Sequence, residues 1–425
     1  MPRMTTGREL EANLSTLLGL NNRRPDFRLR TKDGVFVRAV SNTDISDAGT
    51  AKRRQGYTQV FAGTNCHSFW ADDDTDRGYF VDGNTLYRSA VAGAGMSAVA
   101  LSTTMLRDRH LTYTKVGDEV MLSDGVRNLA VSDAGVVRPL GATPLAAAPF
   151  VTVGAGALPQ GSYQVCCAFM NSGREISPTT VATQINLPAN GALVIAGLPT
   201  TWPTDAAQLL IYVSPPNGDT MYLEQRLQAP AASATVSSAA FDGQEVSTYL
   251  RAPMPPGRIM RWHAGRLYVA DGAVLRYSDV YQPGLYQPTM NFTQFPQPIT
   301  VVEPCDTGMF IVADKTYWLV GDIVSAELKT VSPTRGVFGT GSQDQRLLQV
   351  FWMTEQGFAI GTPDGAVALP QAENVAVNRA AAGATLYREA DGQRQLVSAL
   401  FGTENTATAA RSYMNAEVIR KGTTK

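Results

Sequence analysis

The chain has 425 residues, of which 36 are Lys or Arg and 37 are Asp or Glu, and its net charge at pH 7 is −1. This length exceeds what one hydrophobic core normally organises, so we expect two or three domains. The near-neutral balance argues against a dedicated high-affinity nucleic-acid binder, which would carry a basic surplus. Glycine and proline are frequent and long amphipathic runs are missing, which favours a mostly β class.

The first predicted element is a helix over residues 5–19. Thr6 and Glu9 form a capping box at its start, and Gly19 is placed to end it. One side of the helix carries a leucine stripe, made of Leu10, Leu14, Leu17 and Leu18. Such a stripe needs an apolar partner, either a neighbouring subunit or the core of the same chain, and the sequence leaves both open.

Two short basic clusters follow the predicted helix. They are Arg23-Arg24 and Lys52-Arg53-Arg54. Such clusters could contact phosphates, but runs this short more often belong to a solvated loop.

A short cassette recurs along most of the chain. It consists of two or three apolar residues, an acid, usually a glycine, and then a second apolar strand, which is the pattern of a β-hairpin. Its acids are Asp82, Asp124, Asp271, Asp314, Glu355 and Asp391, at steps of 42, 147, 43, 41 and 36 residues. A period near 40 is typical of β-propeller blades. The sequence therefore predicts an all-β fold, a β-propeller of about six blades (range five to seven), rather than a plain array of sandwiches.

The long step of 147 residues predicts a domain inserted between two blades. Residues 151–250 show about seven short strands at a spacing of 8–12 residues, as in a Greek-key sandwich. This segment looks like a fibronectin type III or immunoglobulin-like β-sandwich. The predicted organisation is an N-terminal helix or arm (1–20), the first part of the propeller (21–150), the inserted sandwich (151–250), the second part of the propeller (251–403) and a C-terminal tail (404–425).

The four cysteines are Cys66, Cys166, Cys167 and Cys305. They have no zinc-ligand spacing, and on a strand Cys166 and Cys167 would point to opposite faces. We interpret them as free thiols of a chain that folds in a reducing cytoplasm. The N-terminus lacks the apolar region of a signal peptide, and no apolar stretch is long enough for a membrane span.

Few residues are candidates for chemistry. Residues 72–78 (DDDTDRG) place acids at alternate positions, but their spacing departs from a calcium loop, and a solvated loop is the competing reading. The histidines are His67, His110 and His263, and no nucleophile-elbow motif accompanies them. Gly93 and Gly95 lack the lysine of a phosphate-binding loop. We therefore predict no enzymatic activity, no catalytic, cofactor-binding or metal residues, and no cofactor.

Several phrases of the sequence resemble tail proteins of short-tailed bacteriophages. Near the N-terminus they are residues 19–25 (GLNNRRP), 39–45 (AVSNTDI), 52–58 (KRRQGYT) and 67–71 (HSFWA). Near the C-terminus the matching phrase is residues 410–422 (ARSYMNAEVIRKG). The resemblance covers the predicted propeller and both ends, whereas the predicted sandwich matches only generically.

The family that these phrases resemble is the tail nozzle, also called the tubular or packaged-DNA stabilisation tail protein. The resemblance implies a homo-oligomeric ring, a hexamer in that family, below the portal and adaptor of the virion tail. It implies that the ring retains packaged double-stranded DNA, conducts it without sequence preference during ejection, and is synthesised in the cytoplasm of the host bacterium. A near-neutral chain suits a conduit, because a channel must not hold phosphates tightly.

Two other functions remain open from the sequence. The chain could be a receptor-binding tail or adhesin module that recognises a host glycan or protein. It could also be a carbohydrate-active enzyme, although the acids cluster in turns and the sialidase-type Asp-box is absent from the sequence.

Overall fold

The computed structural model describes residues 16–41, 43–46, 48–53, 58–71, 77–92, 95–105, 109–324, 327–344, 349–377, 380–390 and 393–402. The chain divides into two compact units. The continuous unit is Val60–Phe295, and the discontinuous unit combines Met1–Gln59 with Pro296–Lys425. Each unit is described by itself below.

The N-terminal part of the discontinuous unit consists of short strands. Its elements are β1 (Leu17–Leu20), one turn of 3-10 helix (Asp26–Arg28), β2 (Arg30–Thr31), β3 (Gly34–Val37), β4 (Thr43–Ile45) and β5 (Ala51–Arg53). β1 pairs in parallel with β3, which pairs with β2 in an antiparallel manner, and β4 and β5 form a hairpin.

The prediction that the N-terminal helix extends to residue 19 is wrong. Leu17, Leu18 and Gly19 lie in strand β1, where Gly19 has a φ of +101° that a right-handed helix does not allow. The backbone of β1 bonds to β3 instead, and Leu20 is buried against Phe351 and Met353. This tertiary burial overrides the local helical pattern. Leu10 and Leu14 lie outside the described residues.

The continuous unit begins with two four-stranded antiparallel sheets, called blades here. Blade 1 contains β6 (Cys66–Ala71), β7 (Arg77–Asp82), β8 (Thr85–Ala92) and β9 (Gly95–Ser102). Blade 2 contains β10 (Thr112–Val116), β11 (Glu119–Ser123), β12 (Asn128–Val131) and β13 (Val137–Pro139). In both blades each strand pairs with the next one along the chain. The first strand, β6 or β10, therefore forms one edge of its sheet, and the last strand, β9 or β13, forms the other edge, called the outer edge here. Tyr79, Leu86, Tyr113 and Leu122 belong to the core that the two blades share.

The next seven strands form two facing sheets. They are β14 (Phe150–Leu158), β15 (Gly161–Asn171), β16 (Thr183–Leu187), β17 (Gly191–Ala196), β18 (Ala206–Val213), β19 (Tyr222–Leu227) and β20 (Ser233–Val236). The sheet orders are β14-β17-β20 and β16-β15-β18-β19. Cys167 is buried in the core between the sheets, and Cys166 is buried on the opposite face of β15. The predicted opposite orientation of the two thiols is confirmed.

Blade 3 completes the continuous unit. Its region contains β21 (Ala252–Pro253), β22 (Ile259–His263), β23 (Arg266–Asp271), β24 (Val274–Tyr277), β25 (Leu285–Tyr286) and β26 (Phe292–Gln294). The blade has the order β22-β23-β24-β26, and β21 pairs with β25. Met121 and Ala130 of blade 2 share a core with Leu267 and Val269 of blade 3. Blades 2 and 3 are therefore packed neighbours although the seven-stranded region separates them in sequence.

The C-terminal part of the discontinuous unit contains two further blades and a long hairpin. Blade 4 contains β27 (Val301–Cys305), β28 (Gly308–Val312), β29 (Thr316–Val320) and β30 (Leu328–Ser332). Blade 5 contains β31 (Ser342–Asp344), β32 (Gln349–Thr354), β33 (Gly357–Gly361) and β34 (Val367–Ala368), and the hairpin consists of β35 (Ala380–Ala390) and β36 (Gln393–Gly402). Phe310 and Trp318 of blade 4 pack against Trp352 of blade 5.

The all-β class with propeller-type sheets is confirmed. Five four-stranded meanders occur among the described residues, and such meanders are the unit from which β-propellers are built. The number of blades and the domain boundaries stay predictions. Within the described ranges, no helix has the length and apolar character that crossing a membrane requires.

Candidate nucleic-acid interface

The strongest candidate site is a set of exposed basic residues in the N-terminal part of the discontinuous unit. Residues 21–60 carry nine Lys or Arg and four Asp or Glu, a net charge of +5, whereas the whole chain is at −1. The rest of the chain therefore sums to −6. Eight of the nine cations lie among the described residues and all eight are exposed: Arg23, Arg24, Arg28, Arg30, Lys32, Arg38, Lys52 and Arg53. We call residues 21–53 the basic arm.

Two asparagines fix the start of the arm to the core of its unit. Asn21 is fully buried, and its Nδ2 donates to Oδ1 of Asn374 at 2.8 Å. Asn22 makes a reciprocal pair with Ala376, in which its Nδ2 donates to the carbonyl at 2.8 Å and its Oδ1 accepts the N–H at 2.7 Å. The Asn21 Oδ1 also accepts the backbone N–H groups of Arg23 and Arg24. This clamp sets the direction in which the two arginines leave the core.

Three of the arginines have internal partners that hold the arm in shape. An Nη of Arg23 donates to the carbonyl of Ala372 at 2.6 Å. Arg38 donates through Nε to the Asp26 carboxylate and through Nη2 to the carbonyl of Arg24, both at 2.7 Å. Arg24 itself lies over the ring of Phe36, with 5.6 Å between Cζ and the ring centroid.

The remaining cations of the arm project into solvent. Arg28 lies 5.7 Å from the centroid of the Phe27 ring, and Phe27 is 79% exposed. The side chains of Arg30, Lys32, Lys52 and Arg53 make no hydrogen bond or ion pair with the part of the chain that the structure describes. Their positive charge is available to an external anion, and mobile Lys and Arg side chains of this kind contact phosphates without reading bases.

The basic arm is only partly evident from motifs. Arg23-Arg24 and Lys52-Arg53-Arg54 stand out as separate short clusters, whereas Arg28, Arg30 and Lys32 between them, which the structure shows to be exposed, form no cluster of their own. The whole-chain charge hid the surplus because acids elsewhere cancel it. A local count of charge over windows of about 40 residues was the signal that could have found it.

Two acids of the repeated cassette, Asp82 and Asp124, have structural roles instead. The N–H groups of Asn65 and Thr64 donate to Asp82 and hold the pKa of its carboxyl below the ordinary value. Asp124 accepts the backbone N–H groups of Val126 and Arg127 and forms an ion pair with the Arg127 guanidinium. These two acids thus satisfy the polar groups of their own turn or of a neighbouring loop, a structural role that needs no shared chemistry.

Two of the three histidines meet between blades 1 and 2. The rings of His67 and His110 lie 5.8 Å apart edge-to-face, and the Nδ1 of His67 is 2.8 Å from the Ser68 hydroxyl. The Ser68 oxygen also accepts the N–H of Leu111 at 2.9 Å. His263 lies on β22 instead, 6.5 Å from the ring of Tyr268. The His67 cluster ties β6 to the start of β10.

The acidic loop and the Gly93-Gly95 pair were the other sequence candidates. Residues 72–76 of the acidic loop lie outside the described residues, as does Gly93. Gly95 begins strand β9. Among the residues that the structure describes, no group of three or more His, Cys, Asp or Glu side chains could hold a metal ion.

No family model matches the sequence, and no curated protein matches it. The similar solved structures include the β-propeller domain of Cps50 (Swd1) from Myceliophteria thermophila, at 9% identity and a TM-score of 0.33, covering 77% of this chain and 92% of that one. BBS1N in complex with ARL6DN is similar at 10% identity and a TM-score of 0.32, covering 80% and 90%. The WD40 domain of SCAP from fission yeast is similar at 7% identity and a TM-score of 0.30, covering 78% and 62%.

Proposed function

We propose that this chain is a structural protein of a bacteriophage tail, the subunit of a ring-shaped nozzle that retains packaged DNA and conducts it during ejection. The proposal places the protein in the virion tail, as a closed homo-oligomeric ring, a hexamer by the family resemblance, in contact with the portal or adaptor. It requires no catalytic residue, because retention and passage of DNA are mechanical and electrostatic.

The observation that carries the proposal is the basic arm. The arm carries eight Lys or Arg and four Asp or Glu, a net charge of +4, and the rest of the chain sums to −5, so DNA phosphates can be contacted at the arm while the other surfaces repel them. Three of the phrases that resemble the nozzle family, residues 19–25, 39–45 and 52–58, coincide with the arm or adjoin it. In the first phrase Leu20 enters the core, Asn21 and Asn22 form the clamp, and Arg23 and Arg24 are exposed.

The first test is the mass of the purified protein in solution at micromolar concentration. Light scattering or native mass spectrometry should show one closed species of about six copies rather than a broad series, because heterologous contacts that close leave no free surface. A strictly monomeric protein at all accessible concentrations would contradict the nozzle.

The second test measures binding of the protein to duplex DNA. We expect a Kd of about micromolar or weaker at physiological salt, no sequence preference, and a steep loss of affinity as salt rises. A variant with Arg28, Arg30, Lys32 and Arg53 replaced by Gln should flatten the salt dependence. These four side chains are chosen because they make none of the hydrogen bonds that hold the arm.

A matched control removes four exposed cations elsewhere, Arg174, Arg226, Lys315 and Lys329. The control keeps the same change in net charge, so a flatter salt dependence in the arm variant alone assigns the phosphate contacts to the arm. Nanomolar, sequence-selective binding would contradict a conduit and favour a regulatory or packaging protein.

A further inference from the structure

Phe27 exposes an aromatic ring in the middle of the basic arm. It is 79% exposed, and no large apolar side chain in the described part of the chain is more exposed. A single exposed aromatic residue is ordinary on a protein surface. Phe27 differs from such a residue because of what holds its backbone and what lies beside its ring.

The backbone that carries Phe27 is fixed by its own turn and by the segment after β3. Phe27 is the central residue of the 3-10 turn, which the N–H of Arg28 closes by donating to the carbonyl of Pro25 at 2.9 Å. Arg38, directly after β3, donates through Nε to the Asp26 carboxylate at 2.7 Å. A ligand of this ring therefore meets a preorganised backbone, and binding does not have to order the loop first.

Arginine side chains lie beside the ring of Phe27 and beside a second aromatic ring. The Cζ of Arg28 is 5.7 Å from the Phe27 centroid, and the Cζ of Arg24 is 5.6 Å from the Phe36 centroid. The N–H of Phe36 donates to the carbonyl of Leu29 at 2.9 Å, which connects the second pair to the residue that follows the turn. Aromatic rings on which bases stack, together with cations that contact the backbone, are the parts of sites for single-stranded nucleic acid.

We propose that the basic arm binds single-stranded DNA, with an unpaired base stacked on Phe27 and the flanking phosphates in contact with Arg28 and Arg30. Inside a duplex each base covers the faces of its neighbours, so a surface ring can stack only on a base that has left the helix. The charge of the arm selects this partner, because a net charge of +4 attracts a polyanion, whereas an isolated apolar ring would not.

This inference rests on the proposed function and specifies a ligand of the same arm. Phosphate contacts hold DNA in the nozzle without regard to its sequence. A stacked base adds a contact that only unpaired DNA can make. The arm therefore holds a frayed end of the packaged molecule more firmly than the duplex that later passes it, which suits retention before ejection.

The test measures fluorescence anisotropy with two labelled probes, an oligothymidylate of about 12 nucleotides and a duplex of about 12 base pairs. Phe27→Leu keeps an apolar side chain but removes the aromatic face. We expect its affinity for the oligothymidylate to fall about tenfold and its affinity for the duplex to change by less than about twofold. Phe27→Trp should bind the oligothymidylate at least as tightly as the unmodified protein, and the stacked base should quench the fluorescence of the added Trp. Phe150→Leu, at a residue of β14 that is 74% exposed, is the control and should bind both probes unchanged.

Salt dependence separates stacking from phosphate contacts. Stacking releases no counterions, so the loss of affinity in Phe27→Leu should have the same size at low and at high salt. Replacing Arg28, Arg30, Lys32 and Arg53 by Gln should instead flatten the salt dependence for both probes. Circular dichroism should show every variant folded like the unmodified protein, because these exposed side chains contribute little to the core.

The possible outcomes separate this inference from the proposed function. If Phe27→Leu binds the oligothymidylate as tightly as the unmodified protein, stacking is refuted, while duplex binding that depends on the arm leaves the nozzle intact. If Phe27→Leu weakens both probes equally, the ring is inserted between base pairs of the duplex and the inference is overturned. A Trp at position 27 that stays unquenched in the bound state overturns it as well. If the unmodified protein binds neither probe, the arm is no nucleic-acid interface and the proposed function loses its main support too.

Discussion

Asn128, at the start of β12, donates a side-chain hydrogen bond to the carbonyl oxygen of Met254 at 2.8 Å. The carbonyl of Asn128 accepts the N–H of Leu140 at 3.1 Å. Leu140 and Met254 flank the seven-stranded region on its two sides, and Gly141 packs directly on the backbone of Gly284. One residue of blade 2 therefore holds both ends of the intervening segment.

This arrangement predicts that the segment can be removed. Replacing residues 144–250 by a short Gly-Ser bridge should leave blades 1 to 3 folded, because the two ends already lie at the same residue. The near-UV circular dichroism of the shortened protein, which keeps the stacked Trp70 and Tyr113 with ring centroids 5.9 Å apart, reports on the tertiary packing of what remains. Loss of this signal together with the β-sheet signal would show that the seven strands belong to the main core.

A second prediction concerns contacts between blades 2 and 3. The hydroxyls of Thr112 and Thr114 on β10 accept the backbone N–H groups of Met260 and Trp262 on β22, at 3.0 and 3.1 Å. The isosteric double replacement by Val leaves two N–H groups unsatisfied, and each should cost about 1–3 kcal/mol in the free energy of unfolding. Urea titration measures this loss. Thr235→Val, at an exposed strand position, is the control and should change stability by no more than about 0.5 kcal/mol.

A third prediction concerns Arg138, which lies between two carboxylates. Its Nη2 donates to Glu119 of blade 2 at 2.6 Å, and its Nη1 donates to Glu175, beyond the end of β15, at 3.0 Å. All three side chains are less than one-third exposed. Arg138→Met leaves the two carboxylates facing each other, and we expect about 1–3 kcal/mol less stability in urea unfolding.

The stability lost in Arg138→Met should be recovered when the two carboxylates are neutralised as well. Adding Glu119→Gln and Glu175→Gln to Arg138→Met should recover most of the loss, because no uncompensated charge remains. Replacing the exposed Arg174 by Met should have little effect. A triple variant as unstable as Arg138→Met would mean that the arginine acts through packing rather than charge.

A fourth prediction concerns thiol reactivity. Partial burial and the neighbouring Asp82 carboxylate raise the pKa of the Cys66 thiol above its ordinary value. Asp82→Asn removes the negative charge, so the Cys66 pKa should fall and the pH profile of its alkylation should move to lower pH. Mass spectrometry after iodoacetamide treatment gives the rate at each pH. Burial raises the pKa of Cys166 to about 12, so that thiol should stay unmodified in the folded protein, and an unchanged Cys66 profile in the variant would contradict the role of Asp82.

The blade strands could be predicted because their signal is local. The apolar–acid–glycine cassette contains the residues that determine a strand, its turn and the next strand within about ten positions. Gly83, Gly125 and Gly272 all have the positive φ that such turns require. The turn chemistry of these segments agrees with their tertiary environment, so the pattern gives the correct structure.

The N-terminal region could not be predicted in the same way. Leu17 and Leu18 follow a helical spacing, but they pair with β3 and precede Leu20, whose partners lie more than 300 residues further along the chain. The clamp of Asn21 on Asn374 is equally remote in sequence. Contacts between residues so far apart produce no pattern in the neighbouring sequence. Because these contacts set the position of the basic arm, the candidate site could not be predicted from local patterns either.

The hydrogen bond between Asn21 and Asn374 also constrains the order in which parts of the chain can fold during translation. Asn21 leaves the ribosome 353 residues before its partner Asn374, which at 5–20 residues per second is an interval of roughly 20–70 s. During this interval the continuous unit, Val60–Phe295, can fold, whereas the strands that support the arm have no core to join. A chaperone or nucleic acid would therefore meet the cationic segment as an open chain first, and closure of the discontinuous unit would be the last step of biosynthesis.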